Sequence, residues 1–342
     1  MGSITDKAIL KIGKLTYTEK NWEALGSLGD LKVFPGDKEV SDPKQLFQEN
    51  LQSGAYDHVV ALYRSNDSTS LTGPFDAELI RSLPSSLKYI CHNGAGYDNI
   101  DITACTSRGI EVSSTPVAVN NATADMTIWL MIGALRSIHV PYAAVREGKW
   151  RGPHFMPGTD PEDKVLGMIG MGGIGQAVAH RARAFGMKIQ YYNRSRLSPE
   201  LEKDAKYVGL DELIGSSDVV SLHCSLTAET TGLIGKTELG QMKKGAVLIN
   251  TARGKLIDEG ALIEALKDGT LRAAGLDVFE NEPELRSDLV DLPNVVLTPH
   301  IGTGTTDTQA KMELLVLDNI KSALESGKLI TQVREQLSKP KL

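Results

Sequence analysis

The chain has 342 residues, 41% of them apolar and 23% charged, with 37 Lys and Arg against 43 Asp and Glu for a formal net charge of −6. At ~150 residues per domain this length predicts about two domains, and the composition excludes a disordered or collagen-like chain. The acidic balance argues against a general nucleic-acid or phospholipid binder, so neither nucleic acid nor membrane is an expected partner.

Short β-rich runs at 9–12, 31–34, 58–62 and 88–92 predict strands, separated by amphipathic segments such as 42–51. That alternation predicts a parallel sheet. Ser113-Ser114-Thr115-Pro116 punctuates the chain, and a long helical pattern then runs from Asn120 and is expected to kink or restart at Pro141. A domain crossing is placed at this point. Residues 150–164 form a loop rich in Pro and Gly that carries Trp150, His154 and Phe155, and loops of this length tend to be functional or flexible. A second series gives six strands at 165–169, 188–192, 218–222, 246–249, 272–277 and 295–298, with helices at 174–185, 235–242 and 259–267, the last ended by Gly269. A lone helix at 309–325 follows and is expected to dock back on the first domain. The predicted fold class is α/β: two doubly wound parallel-sheet domains, an outer one (1–115 with 305–342) and a nucleotide-binding one (116–304) inserted into it. Cys91, Cys105 and Cys224 are too few and too scattered for a disulfide framework or a metal knuckle, which points to a reducing, cytoplasmic compartment and no metal. No apolar run approaches the ~18 residues of a transmembrane helix, and residues 1–11 hold no stretch expected of a cleaved signal.

The run 165–169 enters Gly170-Met171-Gly172-Gly173-Ile174-Gly175, and a helical pattern follows. This is GxGxxG between a strand and a helix. Gly170 permits the tight turn, Gly172 lets backbone approach a pyrophosphate, and Gly175 lets helix and strand pack closely. The helix N-terminus adds unpaired N–H donors and partial positive charge. At the end of the next strand, 18 residues after Gly175, stands Asn193-Arg194-Ser195-Arg196. A carboxylate normally receives the NAD ribose diol near this distance. Asn193 does not repel a 2′-phosphate as a carboxylate would, and Arg194 or Arg196 offers it charge-assisted bonds. NADP(H) is therefore expected over NAD(H).

Three further positions follow predicted strands of the same series: Arg253, Glu282 and His300. Doubly wound sheets place their ligands at such ends. Each also has an ordinary reading, as a turn residue before Gly254, a solvated carboxylate before Pro283, and a structural loop histidine. His223, at a buried strand end, reads as structural.

Together with the glycine loop, Asn250-Thr251-Ala252-Arg253-Gly254, Gly275-Leu276-Asp277-Val278-Phe279 with Glu282-Pro283, and Thr298-Pro299-His300-Ile301-Gly302 resemble the D-isomer-specific 2-hydroxyacid dehydrogenase family over nearly the whole chain, nearest the glyoxylate and hydroxypyruvate reductase type. The resemblance implies two Rossmann/flavodoxin-like domains and hydride transfer to a small 2-keto acid. It implies that Arg253 holds the substrate carboxylate and polarises the carbonyl, that His300 is the general acid in reduction, and that Glu282 fixes the imidazole. Thr123, Leu226, Thr227, Thr251, Ala252, Asp277 and Gly302 fall to the cofactor, while Ala95 and Gly96 of Asn93-Gly94-Ala95-Gly96-Tyr97-Asp98-Asn99 fall to the substrate. A homodimer is implied too, with the 150–155 aromatics reaching the partner's site in some such reductases. The sequence departs from the family at Gly304, where Ala is common, and at the missing acidic ribose reader. Two other readings stay open: a phosphoglycerate dehydrogenase-like enzyme, and a corepressor-like protein that binds dinucleotide without catalysis. Formate dehydrogenase fits less well, since that branch lacks the acidic partner represented here by Glu282.

Overall fold

The computed structural model describes residues 7–35, 40–152 and 157–337. They contain twelve strands in two wholly parallel sheets: β1 Ala8–Ile12, β2 Asp30–Val33, β3 Val59–Ser65, β4 Tyr89–Asn93 and β5 Glu111–Ser113 in one, β6 Val165–Ile169, β7 Lys188–Tyr192, β8 Lys206–Tyr207, β9 Val219–Leu222, β10 Ala246–Asn250, β11 Leu271–Leu276 and β12 Val295–Leu297 in the other. The central strands are buried on both faces, as a parallel sheet covered by helices requires, whereas the edge strand β2 leaves Val33 exposed. Two short strands lay below the sequence signal. β5 falls where the Ser-rich punctuation suggested the end of the domain, and the two-residue β8 pairs along β7 and forms the sheet edge, so the second sheet has seven strands rather than six.

The chain divides into two compact units, Met1–Val119 with Thr305–Leu342, and Asn120–Gly304. In the first the strand order is β2-β1-β3-β4-β5. The order reverses between β1 and β3, and the carboxyl ends there carry the 13–18, 66–68 and 94–97 loops. Helix Thr306–Ser326 belongs to this unit, where its Val316, Leu317 and Ile320 pack with Ile9, Ala61, Tyr63 and Cys91 under the sheet. The Thr305 hydroxyl caps its start by accepting from the Thr308 N–H at 3.1 Å, and Gly327 in a left-handed conformation ends it.

The second unit has the order β12-β11-β10-β9-β6-β7-β8. Its reversal falls between β6 and β9, which is where an open α/β sheet leaves a crevice for ligand. The long helical pattern from Asn120 breaks earlier than Pro141. It forms Asn120–Arg136 and His139–Arg146, bent by 82° at a break where Ser137 takes φ +48°. Pro141 instead sits in the first turn of the second helix, where a missing N–H costs nothing. Among the described residues no single helix is long and apolar enough to cross a membrane.

Candidate active site

The crevice between β6 and β9 is lined by the glycine loop. Gly170, at φ +98°, lies so close to the next strand that a Cβ on it would stand 2.6 Å from the Cys224 backbone nitrogen. A Cβ on Gly175 would stand 2.5 Å from the Gly170 carbonyl oxygen, so only glycine lets the helix Gly173–Ala184 start this near the strand. Around Gly172 nothing lies within 4 Å of where a Cβ would be, leaving backbone open to an approaching phosphate. Gly173 faces the Asn120 amide, 2.4 Å from a Cβ position. Ile174 turns into the core. This cradle, glycine at each close approach and open space at the helix start, fits a dinucleotide pyrophosphate.

Beside it the end of β7 is organised differently from the expectation. The Asn193 side-chain carbonyl accepts the Met171 N–H at 2.7 Å, so it braces the glycine loop. Arg196 is tied to Glu202 through three bonds of 2.8–3.1 Å, and Glu202 also receives the Tyr191 hydroxyl at 3.1 Å. Of the two arginines expected to meet a phosphate, that leaves Arg194, exposed together with Ser195. Thr227 lies in the adjacent 227–231 turn, its hydroxyl bonded to Glu229 at 2.7 Å. The Glu229 carboxyl is held below the usual carboxylate range by that bond and its own backbone N–H, with a further contribution from the Arg194 charge. Leu226 packs against the β9–β12 core. His223 bonds Ser221 at 2.9 Å and burial pulls its pKa down to about 4, which keeps it neutral.

The remaining residues converge because β10, β11 and β12 are neighbours in register, with Asn250 opposite Leu276 and Leu276 opposite Leu297. The segments leaving these strands therefore emerge side by side. Asn250 folds the first one, its amide donating to the Arg253 carbonyl at 2.8 Å while its carbonyl accepts the Ala252 N–H at 3.0 Å. Gly254 brings that turn against the second, since a Cβ there would stand 1.9 Å from the Phe279 carbonyl carbon. In the third, His300 takes a left-handed backbone (φ +53°), unusual for a residue with a Cβ. Its Nδ1 meets Glu282 Oε2 at 2.6 Å, and Glu282 Oε1 accepts the Phe279 N–H at 2.8 Å. Burial pushes the Glu282 carboxyl up, but the His300 bond and charge, the Phe279 N–H and the Arg253 charge outweigh it and hold the group below the usual range. All three sequence candidates thus belong to one cluster.

Asp277, expected to help position the cofactor, is engaged within the protein. It is 1% exposed, and its carboxylate accepts the Thr298 hydroxyl at 2.6 Å, the Ile301 N–H at 2.8 Å and the Gly302 N–H at 2.7 Å, while its carbonyl accepts the His300 N–H at 2.8 Å. It is a clamp on the histidine loop. Thr127, which sequence reasoning passed over as a helix residue, links two of the expected positions: its hydroxyl bonds Thr251 at 2.8 Å and the Thr123 carbonyl at 2.8 Å. Thr298 was likewise missed as a participant, although its place two residues before His300 was a signal. Ala95 and Gly96 lie in the other unit, on the loop leaving β4, where His92 Nε2 meets the Gly96 carbonyl at 3.1 Å. His154 and Phe155 lie outside the described residues; Trp150 is exposed. Among the described residues no three His, Cys, Asp or Glu side chains form a metal-binding group.

Residues 128–302 match the model of the D-isomer specific 2-hydroxyacid dehydrogenase NAD binding domain. The chain is 59% identical to 4-methyl-2-oxopentanoate reductase A of Aspergillus oryzae over 96% of its own length and 98% of the relative's. The crystal structure of a glyoxylate reductase from Paecilomyes thermophila superposes with a TM-score of 0.94 at 57% identity, covering 97% of this chain and 99% of that one. An NADPH-dependent glyoxylate/hydroxypyruvate reductase of Sinorhizobium meliloti, solved with NADP and malonate, gives 0.83 at 30% identity over 96% and 97%. The chain belongs to the D-isomer-specific 2-hydroxyacid dehydrogenase family.

As an NAD(P)-dependent D-2-hydroxyacid dehydrogenase, it uses a nicotinamide dinucleotide, for which the second unit supplies the Rossmann-type domain. The family match takes in the glycine loop, Arg253, Glu282 and His300 in one stretch. Those are the residues that β6 and β10–β12 deliver to the carboxyl edge of one sheet. In this dehydrogenase Asn193, at the start of the segment leaving β7, is engaged with the glycine loop.

Proposed function

We propose that the chain reduces 2-keto acids to D-2-hydroxy acids with NADPH as the preferred donor. The observation that carries this reading is the 2.6 Å contact of His300 Nδ1 with Glu282, beside an arginine whose charge acts on the same carboxylate. A carboxylate on Nδ1 holds the imidazole in one orientation, leaving Nε2–H to give a proton. The bound dinucleotide supplies the hydride. The Arg253 guanidinium holds the substrate carboxylate and stabilises negative charge as it grows on the carbonyl oxygen. His300 donates a proton to that oxygen, and in oxidation takes it back. Ala95 and Gly96 offer backbone N–H groups to the substrate carboxylate.

Arg194 supports NADPH, because it is exposed beside a position that carries no carboxylate. The relatives named above act on a branched keto acid in one case and on glyoxylate in the others, so the substrate class spans small and medium 2-keto acids. The test is NADPH and NADH oxidation with glyoxylate, hydroxypyruvate, 4-methyl-2-oxopentanoate and an aromatic 2-keto acid. Turnover with at least one, falling roughly 10²- to 10⁴-fold in His300→Asn, is the expected result. No turnover with any of them, alongside tight NADPH binding, overturns it in favour of a non-catalytic dinucleotide sensor.

A further inference from the structure

Arg64 and His92 are both fully buried in the first unit, and β3 and β4 pair them side by side as register partners one residue before each strand ends. Arg64 Nη1 lies 3.2 Å from His92 Nδ1, its Nη2 donates to the Thr69 hydroxyl at 2.7 Å, and its guanidinium packs 4.8 Å from the Phe75 ring centroid. No carboxylate among the described residues hydrogen-bonds this arginine. Burial brings its pKa down to about 10, against the opposing charge of Asp98, so it stays a cation at neutral pH. A buried guanidinium without an ion-pair partner is poor value for stability, which calls for another explanation.

The chemistry of the pair supplies one. A guanidinium only donates, so Nδ1 must be the acceptor and the His92 proton must sit on Nε2. That nitrogen is 3.1 Å from the Gly96 carbonyl, to which it donates. The Gly94 carbonyl is taken by the Thr115 N–H at 3.0 Å. Two carbonyls of the loop are thereby held by the protein, while the N–H groups of Ala95 and Gly96 have no acceptor among the described residues. Gly94 is part of the device, since a Cβ on it would stand 2.5 Å from His92 Nε2.

We infer that Arg64 and His92 are positioning residues acting in series: the arginine fixes the histidine tautomer, and the histidine holds the Gly96 carbonyl so that the Ala95 and Gly96 N–H groups are presented to the keto-acid carboxylate. The inference rests on the reductase reading above. It makes substrate affinity, rather than proton transfer or cofactor binding, the property these residues control.

The test compares His92→Leu, His92→Gln, Arg64→Met and the double variant Arg64→Met with His92→Leu. The measurements are KM and kcat for the best keto acid, the inhibition constant of oxamate as an unreactive analogue, the NADPH dissociation constant and the unfolding temperature. The expected result is that His92→Leu and Arg64→Met each raise the keto-acid KM and the oxamate constant about tenfold, with kcat and NADPH binding little changed. Elements in series are not additive, so the double variant should be no worse than either single. The Gln amide offers an acceptor and a donor in place of the two ring nitrogens and should restore most of the affinity. Should His92→Leu fail to fold, Gly94→Ala displaces the same contact from the loop side and should raise the same two constants. Unchanged KM and oxamate binding in a folded variant, equal losses in kcat and NADPH affinity, or no rescue by Gln overturns the inference. In that case wild-type turnover that disappears in His300→Asn leaves the reductase reading standing; absence of wild-type turnover overturns that reading instead.

Discussion

Glu282 Oε2 and His300 Nδ1 meet at 2.6 Å although 18 residues separate them, because neighbouring strands β11 and β12 release their loops at the same edge. The carboxylate thereby holds the imidazole in one orientation. Glu282→Gln keeps the shape but replaces a charged acceptor by a neutral amide, so kcat should fall roughly tenfold or more in both directions as the imidazole loses its fixed orientation. Steady-state kinetics of reduction and oxidation check this; an unchanged kcat would remove Glu282 from the mechanism. The pair also has a stability consequence. The Glu282 carboxyl titrates lower in the folded than in the unfolded chain, so its contribution is fully present above the ordinary carboxylate range and is lost as pH falls through the lowered folded value. Urea unfolding should therefore show a gap between wild type and variant at neutral pH that closes in acid.

The Asp277 carboxylate receives the Thr298 hydroxyl and two backbone N–H groups of the His300 loop. Asp277→Asn would turn an NH₂ toward at least one of these donors and leave it unsatisfied, a cost of about 1–3 kcal/mol. Stability should drop by that amount and kcat should fall with it, as His300 loses its place. Chemical denaturation together with steady-state kinetics would settle it; a variant of normal stability and normal kcat would show that the loop holds itself.

Much of this site was legible because its chemistry sits in short local runs. The glycine loop and Asn250-Thr251-Ala252-Arg253-Gly254 each hold donors, turns and charges within a few residues, and the strands that carry them are apolar enough to be seen. What escaped was long-range. Thr127 lies on a helix and shows its part only when β10 brings Thr251 to its hydroxyl, and the hold of Asp277 on the loop 24 residues on is invisible until that loop is seen folded onto it. The early helix break at Ser137 also escaped, since Pro141 offered a stronger local signal than a serine in a left-handed conformation. β8, with two residues, has too little sequence for any periodicity.

Arg194 and Arg196 look equivalent in sequence and are not equivalent in structure. Arg196 is committed to Glu202, whereas Arg194 is exposed next to the turn that carries Thr227 and Glu229. Arg194→Gln should lower kcat/KM for NADPH by about tenfold or more and leave NADH almost unchanged, the loss of a charge-assisted phosphate contact. Arg196→Gln should move both cofactors together, if at all. Opposite behaviour of the two variants would reverse the assignment of the 2′-phosphate site.

The bent helix pair Asn120–Arg136 and His139–Arg146 leaves Trp129, Ile138, Tyr142 and Val145 exposed, at 56%, 46%, 61% and 57%, and Trp150 beyond them at 73%. Five large apolar side chains on one stretch of chain are more than scattered surface residues explain, and such groups mark contact surfaces. A second copy of the chain is the occupant proposed for it, in keeping with an isologous dimer, where one patch serves both subunits. Sedimentation equilibrium of the wild type should give twice the 37.0 kDa chain mass. Trp129→Glu combined with Tyr142→Glu, by placing like charges across the two-fold axis, should give the single chain mass with far-ultraviolet circular dichroism unchanged. A wild type that sediments as a single chain would leave this patch to another partner.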